Sequence, residues 1–256
     1  MMPPLLKMEN ISIVFGGLTA VESISFEVEK GRIVSLIGPN GAGKSTVFNI
    51  ISGIYSPTSG SVYFLEKDIT GDRAYKITGY GIARTFQNIR LFKNLTVADN
   101  VRIGCHSRSR AGFMGAVLRA GRVKGEERGI TDRAKESLAV VGLADKSEDL
   151  AKNLSYGDQR KLEIARALAS SPELLLLDEP AAGMNAGEKQ GLMEMIKAIS
   201  HMGVTILLVE HDMKFVMGIS DHIIVLDYGQ IIASGTPEEV QNDPVVIEAY
   251  LGKEAD

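Results

Sequence analysis

A glycine-rich turn between an apolar run and a helical pattern constrains this chain more than any other stretch. The run is RIVSLIG at 32–38 and the turn is GPNGAGKS at 38–45, which fits the pattern G-x-x-x-x-G-K-[ST]. Glycines in such a turn let several backbone N–H groups point at one anion, and a helix that starts near Lys44 adds the positive end of its dipole. Strand, turn and helix together predict the first unit of an α/β fold with a phosphate-binding site.

The last residues of this turn have separate predicted roles. Lys44 would reach the β- and γ-phosphates of a nucleotide, the Ser45 hydroxyl would bind Mg²⁺, and Thr46 would lie on the α-phosphate side. The alternative is a glycine-rich turn without a ligand, and the order Gly-Lys-Ser between a strand and a helix argues against it. The predicted phosphate-binding residues are Gly38, Pro39, Asn40, Gly41, Ala42, Gly43, Lys44, Ser45 and Thr46.

A second apolar run ends in two acids. LLLLDE at 174–179 predicts that Asp178 and Glu179 lie at the carboxyl edge of a sheet, where the ligands of open α/β folds bind. Asp178 is then expected to be the outer ligand of Mg²⁺, and Glu179 the general base that orients or deprotonates the attacking water. Adjacent acids after a strand are common, so this motif is informative mainly because it accompanies the glycine-rich turn.

Other apolar runs extend the pattern into a sheet. VTILLVEH at 204–211 and HIIVLD at 222–227 are nearly continuous in apolar residues, which is typical of mostly parallel strands covered on both faces. ISIVF and SISFEVEKG predict short N-terminal strands, and YGQIIASG at 228–235 predicts a hairpin, with a short helix after it. Residues 95–170 contain no convincing strand, so we expect a helical lobe inserted between two strands of the core.

Bulk properties exclude several classes of protein. Of the 256 residues, 45% are hydrophobic and 23% charged, which is ordinary for a soluble globular chain. The net charge of −4 gives no reason to expect nucleic acid as a partner. No apolar run approaches the roughly 18 residues of a membrane span, and MMPPLLKMEN does not resemble a secretory signal. A single cysteine, Cys105, fits a reducing cytoplasm and is expected to be an incidental thiol.

The glycine-rich turn, LSYGDQ at 154–159 and LLLLDE, in this order, resemble the ATP-binding cassette ATPases of membrane transporters over essentially the whole chain. The resemblance implies an α/β fold: a P-loop NTPase core, in which helices flank a mostly parallel sheet, with an antiparallel β subdomain and an inserted helical subdomain at about 95–170. It implies a single ATPase domain over 1–256, with ATP and Mg²⁺ as cofactors and hydrolysis coupled to transport.

The same resemblance implies roles for residues outside the phosphate turn. TFQN at 85–88 is similar to the family's Q-loop, so Gln87 is expected to sense Mg²⁺ and water and to report to a membrane partner. VEHD at 209–212 is similar to the loop of the switch histidine, so His211 is expected to contact the γ-phosphate. Phe15 falls where the family stacks an aromatic ring on adenine, and a core aromatic is the alternative.

LSYGDQ predicts the start of a helix, and the resemblance adds a contact between this helix end and a second cassette. Ser155 is expected to cap the helix and to form an S-x-x-D capping box with Asp158. Tyr156, where the family usually has glycine, is expected to point away from phosphate, whereas Gly157 must let the backbone approach it. The resemblance implies that Ser155, Gly157 and Asp158 contact the γ-phosphate held by a second cassette, so that ATP joins two cassettes head to tail.

Longer stretches are similar to the ATP-binding subunit of branched-chain amino-acid importers: RTFQNIRLFKNLTVADNV, LSYGDQRKLEIARAL, LDEPAAGMN and IEAYLG. This implies a cytoplasmic subunit, peripheral on the inner face of the cell membrane. Its partners would be two transmembrane permease subunits, a second ATPase subunit of the same or a related chain and, indirectly, an external substrate-binding protein.

Several alternatives stay open at this point. Subunits for urea uptake or lipopolysaccharide export share much of the pattern. A non-transport cytosolic cassette ATPase is a third possibility, although such proteins generally carry two cassettes or a long coiled-coil insertion. Asn185 stands where an aspartate is common, so its role is open. The basic segment 105–128 is expected to be a solvated, locally packed helix, with a membrane-surface or permease-docking role as the alternative.

Overall fold

The computed structural model describes residues 3–105 and 120–251. Within these residues the chain forms one six-stranded and one four-stranded sheet. The strands are β1 (Leu6–Phe15), β2 (Leu18–Val28), β3 (Ile33–Ile37), β4 (Ser59–Phe64), β5 (Lys67–Asp68), β6 (Ile82–Arg84), β7 (Leu174–Asp178), β8 (Thr205–Val209), β9 (His222–Asp227) and β10 (Gln230–Gly235). The helices are α1 (Lys44–Ile51), α2 (Ala74–Tyr80), α3 (Val97–Cys105), α4 (Ala120–Val140), α5 (Tyr156–Leu168), α6 (Ala186–His201), α7 (Met213–Ile219), α8 (Pro237–Gln241) and α9 (Pro244–Leu251).

The six-stranded sheet has the order β10-β9-β3-β8-β7-β6, and all its pairs are parallel except the β9–β10 hairpin. The predicted mostly parallel core and its terminal hairpin are therefore confirmed. Three of its strands end level with one another, because Val209 pairs with both Leu36 and Asp178. The chain leaves β3, β7 and β8 at the same edge, so the segments that follow these strands meet there.

Three strands of the six-stranded sheet, β3, β7 and β8, are buried on both faces. Successive side chains of a strand point to opposite faces, and in β7 Leu175 and Leu177 join one hydrophobic cluster while Leu174 and Leu176 join the other. All five residues of β7 are buried, as are those of β3 and β8. A strand with no solvent-facing side cannot alternate apolar and polar residues, which explains the continuous apolar runs of the sequence.

The second sheet is antiparallel, with the order β2-β1-β4-β5, and β1 and β2 are the two predicted N-terminal strands. The sequence did not predict β4, β5, β6 or α2. Strand β6 has three residues and ends in a half-buried arginine, Arg84, so it lacks the apolar run that identifies the other core strands.

Helices fill the described part of the region between β6 and β7. Helices α3, α4 and α5 pack on the sheet through one shared cluster that includes Val101, Leu138, Leu162 and Leu175. Of the described residues in this region, only Thr96 and Leu150 make a β-type pair, as an isolated bridge. The helical content agrees with the expectation for residues 95–170, and the separate subdomain stays a prediction.

The basic segment 105–128 lies largely outside the residues whose side chains are described. Among the described residues, no helix combines the length and the apolar character that crossing a bilayer requires.

Asp212 ties α7 to α6 and gives stability a defined pH dependence. Its Oδ1 accepts from the Phe215 N–H (3.1 Å) as the cap of α7, and its Oδ2 accepts from Lys189 Nζ (2.6 Å). The hydrogen bond from Lys189 is the largest of the effects that hold the pKa of Asp212 below its usual value of 3.8. Because the folded-state pKa is depressed, this stabilisation is complete above the unfolded-state value and is lost as pH falls through the folded-state value.

We therefore expect Asp212→Asn, which keeps the capping oxygen, to lower the thermal midpoint by a constant amount between about pH 5 and pH 8. The gap to the unmodified chain should narrow below about pH 4, where the unmodified carboxylate begins to protonate. Asp212→Ala should lose the cap as well, about 1 kcal/mol more. A gap between Asp212→Asn and the unmodified chain that stays the same down to acid unfolding would contradict this origin of the stability.

Candidate nucleotide-binding and hydrolysis site

The glycine-rich turn fits its place only because glycine occupies two of its positions. Gly38 has φ +145°, and a Cβ there would lie 1.9 Å from the carbonyl oxygen of Leu226 in β9. Gly43 has φ +102°, and a Cβ there would lie 2.8 Å from the carbonyl oxygen of Ala20. Backbone therefore packs against both ends of the turn, and no side chain fits at these positions without a shift of the chain.

Lys44 lies within the turn. Its Nζ donates to the carbonyl oxygens of Gly38 (2.6 Å) and Pro39 (2.8 Å), and the residue is 5% exposed. A buried ammonium needs such partners, because its desolvation is costly. The two carbonyls thus fix a positive charge at the start of α1, where the helix dipole also favours an anion.

A cavity of about 210 Å³ opens at this turn. Residues from three segments that follow β3, β7 and β8 line it, as the common edge of these strands predicts. The lining residues are Asn40, Gly41, Ala42, Gly43, Lys44, Ser45, Thr46, Glu179 and His211.

Glu179 brings together three of the residues predicted to serve in hydrolysis. Its Oε2 accepts from Gln87 Nε2 and its Oε1 from His211 Nε2, each at 2.7 Å. Because a carboxylate only accepts, the imidazole carries its proton on Nε2 in this arrangement. Glu179 also has φ +47°, a conformation that costs free energy for a residue with a side chain and that clusters at functional sites.

Asp178 has a partner that the sequence did not reveal. Its Oδ2 accepts from Arg84 Nη2 at 2.8 Å, and both side chains are 9% exposed. Arg84 Nη1 also donates to Asn49 Oδ1 (2.7 Å) and Ser52 Oγ (2.9 Å) of the α1 segment. The signal for Arg84 was its place directly before TFQN, at the end of a strand beside β7, but strand β6 itself was not predicted.

The oxygen donors near the turn fit the predicted Mg²⁺. Ser45 offers a hydroxyl, Asp178 a carboxylate and Gln87 an amide oxygen, which are ligand types that Mg²⁺ prefers. Among the described residues, no group of three or more His, Cys, Asp and Glu side chains could hold a metal ion. Mg²⁺ commonly binds through one or two protein groups together with phosphates and water, so this small set suits an ion that arrives with a nucleotide.

Glu210 is a second residue that sequence reasoning missed. Its Oε1 accepts from the Ala181 N–H (2.7 Å) and its Oε2 from the His211 N–H (3.1 Å). The residue is 4% exposed, and burial raises the pKa of its carboxyl group. Glu210 thus ties the loop after Glu179 to the residue that bears the imidazole.

The start of α5 confirms one half of the predicted capping box. Ser155 Oγ accepts from the Asp158 N–H at 3.1 Å, and α5 begins at the next residue, Tyr156. The Asp158 carboxylate also has a partner that the S-x-x-D pattern did not predict, because its Oδ2 accepts from Lys146 Nζ at 2.7 Å. A tertiary ion pair with Lys146 therefore accompanies the local capping contact at Ser155.

Glu188 lies beside Gly157 and hydrogen-bonds with Asn185. A Cβ at the buried Gly157 would lie 3.1 Å from Glu188 Oε1 of the same chain. Glu188 Oε2 accepts from the Asn185 N–H (2.9 Å), and Asn185 Oδ1 accepts from the Glu188 N–H (3.0 Å). Asn185 thus forms a complete capping box at the start of α6, which gives it a role within its own chain.

Phe15 lies at the end of β1 and is 42% exposed. Its ring meets Tyr55 edge to face, with centroids 5.1 Å apart. The alternative of a core aromatic is therefore wrong, and an exposed ring of this kind is able to stack on a base.

The buried ion pair between Arg84 and Asp178 is expected to contribute to the free energy of unfolding. Arg84→Ala leaves the carboxylate buried without its cation, which typically costs about 3–5 kcal/mol, whereas Arg84→Lys restores the charge without the two contacts to α1 and should cost less. Denaturant unfolding measures both. The matched control is Arg102→Ala on α3, which removes an exposed pair worth at most about 1 kcal/mol. Equal losses for Arg84→Ala and Arg102→Ala would contradict the importance of the buried pair.

Comparisons with known proteins agree with this geometry. The family model described as ABC transporter matches residues 21–182, and one described as branched-chain amino acid ATP-binding cassette transporter matches residues 230–256. The chain is 46% identical to the high-affinity branched-chain amino acid transport ATP-binding protein LivG of Salmonella typhimurium, over 99% of this chain and 100% of that protein.

Solved structures give the same result. A crystal structure of the ADP conformation of MJ1267, an ATP-binding cassette of an ABC transporter, matches with a TM-score of 0.86 and 34% identity, covering 98% of this chain and 100% of that one. The dimeric structure of MJ0796, a bacterial ABC transporter cassette, matches with a TM-score of 0.75 and 26% identity over 91% and 98% of the two chains. The glycine-rich turn, the acids after β7 and the full-length similarity lead to one conclusion: the chain belongs to the ABC transporter family of ATP-binding cassettes.

Proposed function

We propose that this chain is the ATP-hydrolysing subunit of a membrane importer for branched-chain amino acids. The observation that carries the hydrolytic part is the position of Glu179, whose carboxylate lies between Gln87 and His211 at the mouth of the glycine-rich cavity. The amino-acid part is supported by the full-length similarity to a branched-chain amino acid transport ATP-binding protein and by the matching C-terminal segment.

In this proposal the turn binds the triphosphate and Glu179 acts on water. Backbone N–H groups of residues 38–46 and the Lys44 ammonium hold the β- and γ-phosphates. Glu179 orients the attacking water and accepts its proton, and His211 contacts the γ-phosphate with the Nε2–H that now faces Glu179. When bound, Mg²⁺ supplies positive charge against the phosphate oxygens, and Ser45, Gln87 and Asp178 are the residues that would hold it. Phe15 would stack on the adenine.

A second cassette would complete the site. Ser155 is exposed at the start of a capped helix, a position that favours an anion, and the proposal assigns Ser155, Gly157 and Asp158 to the γ-phosphate of a partner cassette. Because Glu188 Oε1 lies 3.1 Å from the position that a Cβ would have at Gly157, its negative charge would lie near a phosphate bound at that glycine. Hydrolysis removes the γ-phosphate and with it the differential affinity for the closed pair.

The proposed assembly contains two transmembrane permease subunits, a second ATPase subunit that is either a copy of this chain or a related one, and an external binding protein that delivers the substrate. Nucleic acid has no part in it. The chain would lie in the cytoplasm against the inner face of the membrane. The runner-up is the same ATPase role for urea uptake or lipopolysaccharide export, followed by a cytosolic cassette ATPase outside transport.

The role of Glu179 predicts a separation of binding from turnover. Glu179→Gln should keep ATP affinity within about 2-fold, reduce the hydrolysis rate by at least about 100-fold and retain a closed dimer with ATP. Lys44→Ala is the contrasting variant, because it should lose nucleotide affinity itself. Equilibrium ATP binding, phosphate release and size-exclusion chromatography with ATP measure these three properties. Near-normal hydrolysis by Glu179→Gln would remove it as the base.

The transported substrate is tested in cells. Deletion of the gene should abolish uptake of labelled leucine at low external concentration, and the unmodified gene should restore it. The matched control is the gene with Glu179→Gln, which makes the protein without turnover and should not restore uptake. Labelled urea, measured in the same strains, tests the runner-up. Normal leucine uptake in the deletion strain sinks the amino-acid assignment.

A further inference from the structure

One face of α5 holds the backbone of the segment that carries Gln87, which we call the Gln87 segment (residues 86–90). Arg160 Nη1 donates to the carbonyl oxygen of Phe86 at 2.8 Å, and Nη2 donates to the carbonyl oxygen of Gln87 itself. One guanidinium thus binds two successive carbonyls, which fixes both the position and the orientation of the peptide between them.

The other end of the Gln87 segment is held in the same way. Glu163 Oε1 accepts from the Arg90 N–H at 2.7 Å, and Arg166 Nη1 donates to the Arg90 carbonyl oxygen. Arg160, Glu163 and Arg166 follow one another at intervals of three residues, so they lie on one side of α5. Side chains of α5 therefore hydrogen-bond to the backbone at both ends of the Gln87 segment.

This arrangement is costly, because its charged groups are buried. Arg160 is 3% exposed and Glu163 is 1% exposed, and burial raises the pKa of Glu163. Well-packed apolar residues of similar volume often stabilise a protein as well as a buried ion pair or better. What apolar residues cannot do is bind two backbone carbonyls at fixed positions, so the geometry of the Gln87 segment is what these charges provide.

Tyr156 also contacts the Arg160 guanidinium. Its hydroxyl oxygen accepts from Arg160 Nη2 at 3.0 Å, and the guanidinium lies 5.5 Å from the centre of its ring. The ring edge is 3.2 Å from the position that a Cβ would have at Gly183, in the loop that follows Glu179. The tyrosine thus touches both the cation that holds Gln87 and the loop that begins at the proposed base.

We propose that Tyr156 and Arg160 are positioning residues for hydrolysis: they hold the Gln87 peptide where its side chain reaches Glu179. The route is Tyr156 to Arg160, Arg160 to the Gln87 carbonyl, and Gln87 Nε2 to Glu179 Oε2 at 2.7 Å. The inference rests on the proposed role of Glu179 as base, and it assigns the departure from glycine at position 156 a function within the chain.

The test uses the transporter complex isolated through a tag on this chain, with Tyr156→Phe and Arg160→Lys. Tyr156→Phe removes only the hydroxyl, and Arg160→Lys keeps the charge but cannot bind both carbonyls. We expect kcat for ATP hydrolysis to fall about 3-fold and about 10-fold respectively, while KM and equilibrium ATP affinity stay within about 2-fold. Matched controls are Tyr75→Phe and Arg102→Lys, at exposed helical positions, which should leave kcat unchanged.

A cycle with Gln87→Ala separates positioning from general stability. If Arg160 acts through Gln87, Arg160→Lys should lower kcat much less in the Gln87→Ala background than in the unmodified chain. Thermal midpoints of Tyr156→Phe and its Tyr75→Phe control should agree. An undiminished effect of Arg160→Lys in the Gln87→Ala background, or a loss of ATP affinity parallel to kcat, overturns the proposal.

Failure of this proposal is distinguishable from failure of the proposed function. If Glu179→Gln abolishes hydrolysis while both Tyr156→Phe and Arg160→Lys retain the kcat of the unmodified chain, the positioning role is wrong and the base stands. If Glu179→Gln hydrolyses ATP normally, the base is wrong, and the positioning proposal, which depends on that base, is overturned with it.

Discussion

The level ending of three parallel strands is the constraint on which the candidate site depends. Val209 pairs with both Leu36 and Asp178, so β3, β7 and β8 end at the same level of the sheet. The glycine-rich turn, Glu179 and His211 follow these strands and therefore lie at one edge. The turn ends at Thr46, so it lies more than 130 residues before Glu179 in the sequence, and the two would otherwise have no reason to meet.

The sequence predicted those parts of the fold that have a local cause. Strands buried on both faces show as apolar runs, the turn shows through its glycines and Lys44, and the helix start at Ser155 shows through its capping residue. Strand β6 could not be predicted in this way, because three residues are too few to show a period. The local pattern also did not show that the Asp158 carboxylate accepts from Lys146, because that partner lies 12 positions away and outside the motif.

The polar residues that sequence reasoning missed have distant partners. Arg84 and Asp178 are 94 residues apart and Arg160 and Phe86 are 74 apart, and nothing in either neighbourhood identifies the other. Glu210 contacts the backbone of Ala181 rather than a side chain, so complementary residue types give no signal either. Buried charges are unusual in a protein interior, and in this chain they surround the residues proposed to act on ATP. Burying these charges costs desolvation free energy, and their hydrogen bonds hold the catalytic residues in a fixed geometry.

The alternation within β7 makes the central sheet a partition between two interiors. Leu175 and Leu177 belong to the interior that the helices of the region before β7 share, while Leu174 and Leu176 belong to the interior beneath α1 and the antiparallel sheet. Four identical residues in a row are therefore two independent pairs. A truncation at one leucine opens space beside α5, and the same truncation one residue away opens it beneath the nucleotide turn, so neighbouring positions of a uniform sequence affect opposite halves of the molecule.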